Sequence, residues 1–278
     1  MFAWMSAIFV FNLILRPSSA LVLSGFTGTV SMSIALGVLG RVDGELARRL
    51  HDLKTPKPIS VTPIRHNGSV LWDSRARLVA PGDALEFRVS TLEGVGVRLL
   101  DALNSVDSVK LFNVDSKVEV KSIEVVRVEE LVKPGPVRFR IRFLSPIRFA
   151  RVRTMRRRGV KFDFCPSMEN IIRSTVLYWN SVIGGDLFRN WTGLVRWAYN
   201  YVYMRDMYGR VVYTRLPGRS QPQLGFWGSA EYEVKSRRES RITQLWALLR
   251  LAELMNTGTT RSIGFGHIEV TTGAPAGT

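Results

Sequence analysis

The sequence predicts an α+β fold of two similar halves, and three observations carry that expectation. Alternating stretches, KVEVKSIEVVRV from Lys117 to Val128 and VRFRIRF from Val137 to Phe143, have the two-residue period of half-buried strands. Segments with helical spacing of apolar residues separate strands of this kind in the order strand, helix, strand, strand, helix, strand, and the order occurs twice. Between the two sets lies Lys133-Pro134-Gly135-Pro136, which cannot continue a strand ladder. The expected architecture is two tandem ferredoxin-like (RRM-like) units with antiparallel sheets. The expected limits are residues 1–133 for the N-terminal unit and 137–271 for the C-terminal unit, with 272–278 as a floppy tail.

The elements follow in order. The apolar run Met1 to Leu15 is shorter than the roughly 20 residues a membrane helix needs. It also lacks the basic start and cleavage site of a signal peptide. Residues of about 6–16 are therefore expected to form a buried central strand, ended by Arg16-Pro17. Thr27 to Gly40 has helical spacing after a Ser/Thr-rich start, and a second short helix runs through Leu50. Ile59 to Arg65 and Ser69 to Asp73 flank Asn67-Gly68, a hairpin-turn signal that leaves His66 exposed. Ala84 to Thr91 predicts a strand, Val95 to Leu103 a helix, and Lys117 to Val128 a strand. In the second half Val137 to Phe143 predicts a strand and Met168 to Ile183 a helix. Tyr199 to Leu216 and Gly225 to Val234 predict long strands. Ile242 to Met255 predicts an amphipathic helix with Leu245, Leu248, Leu249 and Ala252 on one side, and Gly264 to Val270 a closing strand.

Composition narrows the partners. Of 278 residues, 46% are hydrophobic and 22% charged, which excludes a largely disordered chain. Lys+Arg number 39 against 23 Asp+Glu, a net charge of +16, and 31 of the 39 are Arg. Such a surplus of forked donors points to phosphate-bearing partners. No Lys/Arg-rich amphipathic helix points to a membrane partner. The single Cys165, expected as a buried inert thiol, excludes an internal disulfide or a zinc site built on several thiolates. With three scattered His residues, no metal and no cofactor is expected, and cysteine usage suits the cytoplasm.

Three features could carry chemistry. In LARRLHDLKTPKPISVTPI, Leu46 to Ile64, His51 falls at a helix end and Lys57 in the loop beyond. An imidazole can move a proton near neutral pH, and an ammonium can neutralise charge building on a phosphate. That pair suits attack of a ribose 2′-hydroxyl on the adjacent phosphodiester. A histidine at a helix C-terminus also serves as a dipole or packing residue. The run from Gly258 to Gly266, with Arg261, Ser262, Gly264 and Phe265, offers glycines and donors to an anion, or simply a helix C-cap and tight turn. Arg138, Arg140 and Arg142 share one strand face, and arginines continue through Arg148, Arg151, Arg153, Arg156, Arg157 and Arg158 with no acid among them. Self-repulsion of that kind favours contact with a polyanion over a merely solvated face. His267 is expected to be structural. The Trp and Tyr residues from Trp179 to Tyr213 are expected to be core and strand residues rather than base-stacking platforms.

With these motifs in this order, residues of about 6–271 resemble the CRISPR-associated repeat-RNA endoribonucleases of the RAMP superfamily, in their archaeal form. LARRLHDLKTPKPISVTPI is similar to the family's His-bearing segment, FLSPIRF to the strand entering the second unit, and GFWGSAEYEV with RSIGFGHIEV to the C-terminal signature. The resemblance implies two ferredoxin-like units that bind repeat RNA in a basic cleft. It implies cleavage without metal, leaving 5′-hydroxyl and 2′,3′-cyclic phosphate ends. It places His51 and Lys57 on the catalytic His and Lys, and Gly258, Gly264, Phe265 and Gly266 on a glycine-rich RNA-binding loop. Two positions depart from the pattern. The first-helix Tyr of some relatives falls on Leu36, and no Tyr precedes Tyr178; Asn256 stands where the loop usually opens with Gly. The implied partners are precursor and mature guide RNA, CRISPR effector-complex subunits and a second copy of the chain. The alternative reading is a non-catalytic RNA-binding subunit of an effector complex.

Overall fold

The computed structural model describes residues 7–54, 56–151, 160–217 and 221–272. Arg153, Arg156, Arg157 and Arg158, and all but the first residue of the expected tail, lie outside the described residues. The first half opens with β1 (Ala7–Pro17) and β2 (Leu21–Leu23), followed by α1 (Gly28–Leu39) and α2 (Gly44–Asp52). Then come β3 (Ile59–Val61), β4 (Arg65–His66), β5 (Ser69–Val70), β6 (Arg77–Val79) and β7 (Leu85–Leu92). It closes with α3 (Glu93–Leu103), β8 (Ser108–Leu111) and β9 (Val114–Arg127). One helical turn, α4 (Val128–Leu131), leads to β10 (Arg138–Ile147), β11 (Phe149–Ala150), β12 (Phe162–Asp163), α5 (Met168–Tyr178) and α6 (Trp191–Tyr201). The chain ends with β13 (Val202–Thr214), β14 (Gln223–Val234), α7 (Glu239–Met255) and β15 (Ile268–Thr271).

Both sheets have the same strand order. In the first, β1 lies between β7 and β9, both antiparallel to it, with β3 and β4 beyond β7. In the second, β10 lies between β14 and β15, with β13 beyond β14. Counted along each half, the order is second, third, first, fourth, which is the ferredoxin-like arrangement, present twice. β8 pairs only with Val114 to Lys117, so among the described residues the outer edge of β9 has no partner beyond that point.

The apolar run of β1 follows from its position. Phe11, Leu13 and Leu15 enter the core under α1 and α3, while Ile8 and Val10 enter the core of the second half. A strand buried on both faces has no reason to alternate. Helix α7 has the same double role. It touches β15 in its own half and β3 and β7 in the other. Leu245, Leu248, Leu249 and Ala252 are buried as expected, but so are Trp246, Ala247 and Leu251, because this helix meets both halves. The Pro-Gly linker is held against α7: Trp246 Nε1 donates to the Pro136 carbonyl at 3.1 Å, and Arg250 donates to the Leu131 and Pro134 carbonyls at 2.8 and 3.1 Å.

Several expectations are corrected. The strand expected from Tyr199 begins only at Val202, because Trp191 to Tyr201 is helical. The hairpin arm from Ile59 breaks at Thr62 to Ile64, where Pro63 removes a ladder donor. The helix from Met168 changes to a π-turn at Trp179–Ile183. The last strand begins at Ile268, since Gly264 to Gly266 are turn. His66 is buried rather than exposed, with Nε2 3.0 Å from Asp83 Oδ2. Cys165 is exposed rather than buried. The aromatic run divides: Trp179 and Trp197 are core, whereas Tyr199, Tyr208 and Tyr213 are exposed.

The start of α1 packs against the glycine-rich loop of the other half. A Cβ on Gly28 would lie 2.0 Å from the Ile263 carbonyl oxygen, whereas one on Gly37, in the same helix, would meet nothing within 4 Å. Gly28→Ala is expected to destabilise the protein by roughly 2 kcal/mol or more. Gly37→Ala is expected to stabilise it by about 0.5–1 kcal/mol through helix propensity. Urea denaturation of the two variants, read as midpoint shifts of opposite sign, checks the docking.

Candidate functional site

Helix α2 is built to end where it does. The Asp43 side chain accepts from the Leu46 N–H at 2.9 Å and caps its start; Glu45 lies in its first turn, and Arg49 and His51 in its last. Leu53 is extended, and the chain then turns back so that Lys57 Nζ donates to the carbonyls of Leu50 and, at 2.7 Å, His51. Those carbonyls would otherwise be orphans of the helix terminus. His51 and Lys57, six residues apart in sequence, are thus joined directly. The His51 side chain is 77% exposed, with Nδ1 3.1 Å from Asp52 Oδ1. A ring nitrogen held on a carboxylate leaves the other facing solvent and able to exchange a proton. Burial pushes the Lys57 ammonium below its ordinary pKa, opposed by Asp52. Two of its three donors are used on carbonyls, leaving one for an anion.

The glycine-rich loop packs beside this segment. Left-handed backbone at Asn256, Gly258, Thr260, Gly264 and Gly266 winds it tightly. A Cβ on Gly258 would lie 2.6 Å from the Arg148 carbonyl oxygen, one on Gly264 2.9 Å from Pro63, and one on Gly266 1.8 Å from the Thr257 oxygen. These glycines therefore admit the protein's own backbone. Phe265 has no exposed surface and lies tilted against Phe26, with ring centres 4.6 Å apart. Arg261 turns inward: Nη2 donates to the carbonyl and Oγ of Ser174, both at 2.9 Å, and its guanidinium lies 4.4 Å from the Tyr178 ring centre. Ser262 is half-buried. Asn256 Nδ2 donates to Ser60 Oγ, the Val61 carbonyl and the Arg261 carbonyl at 2.7, 2.8 and 3.0 Å, tying the loop to β3.

Arg138, Arg140 and Arg142 are exposed on one face of β10. The absence of acids in their own stretch does not leave them unneutralised, because neighbouring strands supply carboxylates. Arg138 lies 3.2 Å from Glu233, Arg142 lies 2.9 Å from Glu269, and Arg140 pairs with Glu231. Glu233 also meets Lys235, Arg205 and the Tyr203 hydroxyl; Lys235 foremost, then Tyr203 and Arg138, pull its carboxyl down to about 2. Arg148 is not on that face. It is buried, donating to Thr259 and Thr260 hydroxyls and to Gln223 under the loop.

Sequence reading missed a groove of about 770 Å³ between the halves, lined by Arg65, Arg75, Arg77, Arg142 and Arg210 with Trp72 and Trp227. Asp73 engages Arg75 and Arg77, but no carboxylate among the described residues lies within ion-pair distance of Arg65 or Arg210. These arginines come from sequence segments far apart, so no local charge run announced them. It also missed Asp52 and Tyr178. The first was legible as the neighbour of His51; the second is brought in from the other half, its hydroxyl donating to the Lys57 carbonyl at 3.0 Å.

Among the described residues no helix is long and apolar enough to cross a membrane, and no group of His, Cys, Asp and Glu is arranged to hold a metal ion.

Residues 9–126 match the Cas6 N-terminal domain family, and residues 141–268 match the family of the CRISPR-associated endoribonuclease Cas6. Among solved structures, a Cas6 product complex superposes with a TM-score of 0.72 at 18% identity, covering 96% of this chain and 100% of that one. Cas6 of Thermus thermophilus gives 0.67 at 19% identity, covering 98% and 100%. The protein of a Cas6-related gene from Pyrococcus furiosus gives 0.61 at 12% identity, covering 95% and 98%. At these identities the likeness is one of fold. Among curated proteins none matches in sequence.

His267, at the junction of the halves, has a buried Nδ1 without a partner; burial, and then Arg88 and Arg65, hold its imidazole well below the usual value. The unfolded chain binds a proton here below about pH 6.5 and the folded chain does not, so stability falls as pH drops through that value. His267→Gln is expected to flatten this slope, by at most about 1.4 kcal/mol per pH unit. Urea midpoints at pH 7.5, 6.5 and 5.5 for both proteins check it.

Proposed function

The chain belongs to the CRISPR-associated Cas6 endoribonuclease family, and from that premise we propose that it cuts CRISPR repeat RNA without a metal ion, by attack of a ribose 2′-hydroxyl on the adjacent phosphate. The observation that carries this reading is the bond of Lys57 Nζ to the His51 main-chain carbonyl, which ties the ammonium to the backbone of a residue whose imidazole is exposed. His51 takes the 2′-hydroxyl proton or returns one to the leaving 5′-oxygen, and Asp52 holds its ring. Lys57 offsets the charge that builds on the pentacoordinate phosphate. The products are a 5′-hydroxyl and a 2′,3′-cyclic phosphate.

The proposed RNA path uses the arginine groove, where Arg65 and Arg210 have no acidic partner among the described residues and Trp72 and Trp227 offer stacking surfaces. Arg142 lines it, Arg138 and Arg140 continue the same face of β10, and the glycine-rich loop contributes by shaping the site. In this reading residues 1–133 carry the reacting groups and 137–271 the loop that braces them. Precursor and mature guide RNA are the partners, in the cytoplasm; effector-complex subunits and a second copy are further candidates.

Purified protein should cut end-labelled repeat RNA in excess EDTA at one position, and a single 2′-deoxy substitution there should block the cut. His51→Ala should slow it by about 10²–10⁴. Tight binding with no cut in any condition would assign the chain a scaffold role instead.

A further inference from the structure

The geometry points to Tyr178 and Arg261 as positioning residues that hold Lys57, and through it His51, from the opposite half of the molecule. This rests on the roles of His51 and Lys57 given above. The connection is continuous. Arg261 is fixed by Ser174 on α5 and lies 4.4 Å from the Tyr178 ring centre; the Tyr178 hydroxyl donates to the Lys57 carbonyl at 3.0 Å; Lys57 Nζ closes the end of α2 at Leu50 and His51. Among the described residues no other hydrogen bond reaches the backbone of Lys57 from the second half.

The chemistry excludes direct roles for both. Tyr178 is 2% exposed, and burial pushes its phenol further up, so it stays a neutral donor and cannot meet a ribose. Burial lowers the Arg261 guanidinium to about 10, which leaves it charged at neutral pH; its Nη1 is buried without a partner. A buried cation over an aromatic face is a strong, short-range clamp. A guanidinium so placed cannot grip a phosphate without leaving the tyrosine. Arg261 thus acts through Tyr178 rather than by touching RNA. The arrangement also gives the chain a tyrosine at the site's back wall, although none precedes it in the first half.

The test compares wild type, Tyr178→Phe, Arg261→Lys, Lys57→Ala and the Tyr178→Phe/Lys57→Ala pair. Three quantities are read: the single-turnover cleavage rate, the affinity for repeat RNA blocked by a 2′-deoxy residue, and the rate at which an acetylating reagent labels Lys57. Tyr178→Phe keeps the ring and loses one hydrogen bond. It should slow cleavage about tenfold and speed Lys57 labelling, with RNA affinity unchanged within about twofold. In the Lys57→Ala background it should have no further effect on rate, because the two residues act in series. Arg261→Lys should follow Tyr178→Phe. Unchanged labelling in Tyr178→Phe, or an equal slowing with and without Lys57, would overturn the proposal. So would an Arg261→Lys protein that binds RNA weakly but labels like wild type. If Lys57→Ala and His51→Ala cut like wild type, the catalytic reading fails, and labelling alone then decides whether Tyr178 holds Lys57.

Discussion

The structure depends on close approach of backbone to backbone at the turn between α7 and β15. Side chains normally keep segments apart; here five left-handed residues in quick succession wind the chain so that main-chain atoms of both halves meet across it. Gly264 lies against Pro63 of the first half, Gly258 against Arg148, and Ile263 against Gly28. Asn256 completes the joint, because its amide spans Ser60, Val61 and Arg261. Asn256 has φ 57° and ψ 170°, a conformation otherwise left to glycine, and at this position its side chain does work a glycine cannot. Once this turn is set, the position of β3 is set, and with it the segment that returns Lys57 to the end of α2.

Charge is organised by the sheet and not by the sequence neighbourhood. The arginines of β10 look unneutralised along the chain, yet each faces a glutamate on β14 or β15. Exposed pairs such as Arg142 with Glu269 contribute little to stability, about 0–1 kcal/mol. Their effect is on where positive potential remains. It is reduced along β10, whereas in the groove Arg65 and Arg210 have no carboxylate within ion-pair distance among the described residues. A net charge of +16 is therefore focused by pairing as much as by position.

The strand and helix order, the linker, the His51 helix end and the apolar face of α7 were legible in the sequence, because each rests on local period or on Pro and Gly chemistry. What was not legible came from distant partners or from aromatic residues. Trp191 to Tyr201 is rich in Trp and Tyr, which favour strands, and tertiary packing of Leu194, Trp197 and Ala198 makes it a helix. His66 reads as a turn residue until Asp83 is placed beside it. The inward course of Arg261 and Arg148 has no local signal at all, since their partners Ser174, Tyr178 and Gln223 lie far along the chain. Nothing near Lys57 in sequence points to Tyr178, 121 residues away.

The short reach of β8 has one more consequence. Past Lys117 no strand among the described residues pairs with the outer border of β9, and Val120, Ile123 and Val125 are exposed along it. Such a border is a template for adding another strand, and proteins guard it with charge. Here Glu119, Lys121, Glu124 and Arg127 alternate with the valines and isoleucine. That guard acts through water and is screened by salt over about 8 Å at physiological ionic strength. Concentrated salt, which strips polyanions from a basic protein, also lowers the guard on β9, so the condition that frees this chain of bound polyanion is the one that favours strand-to-strand self-association.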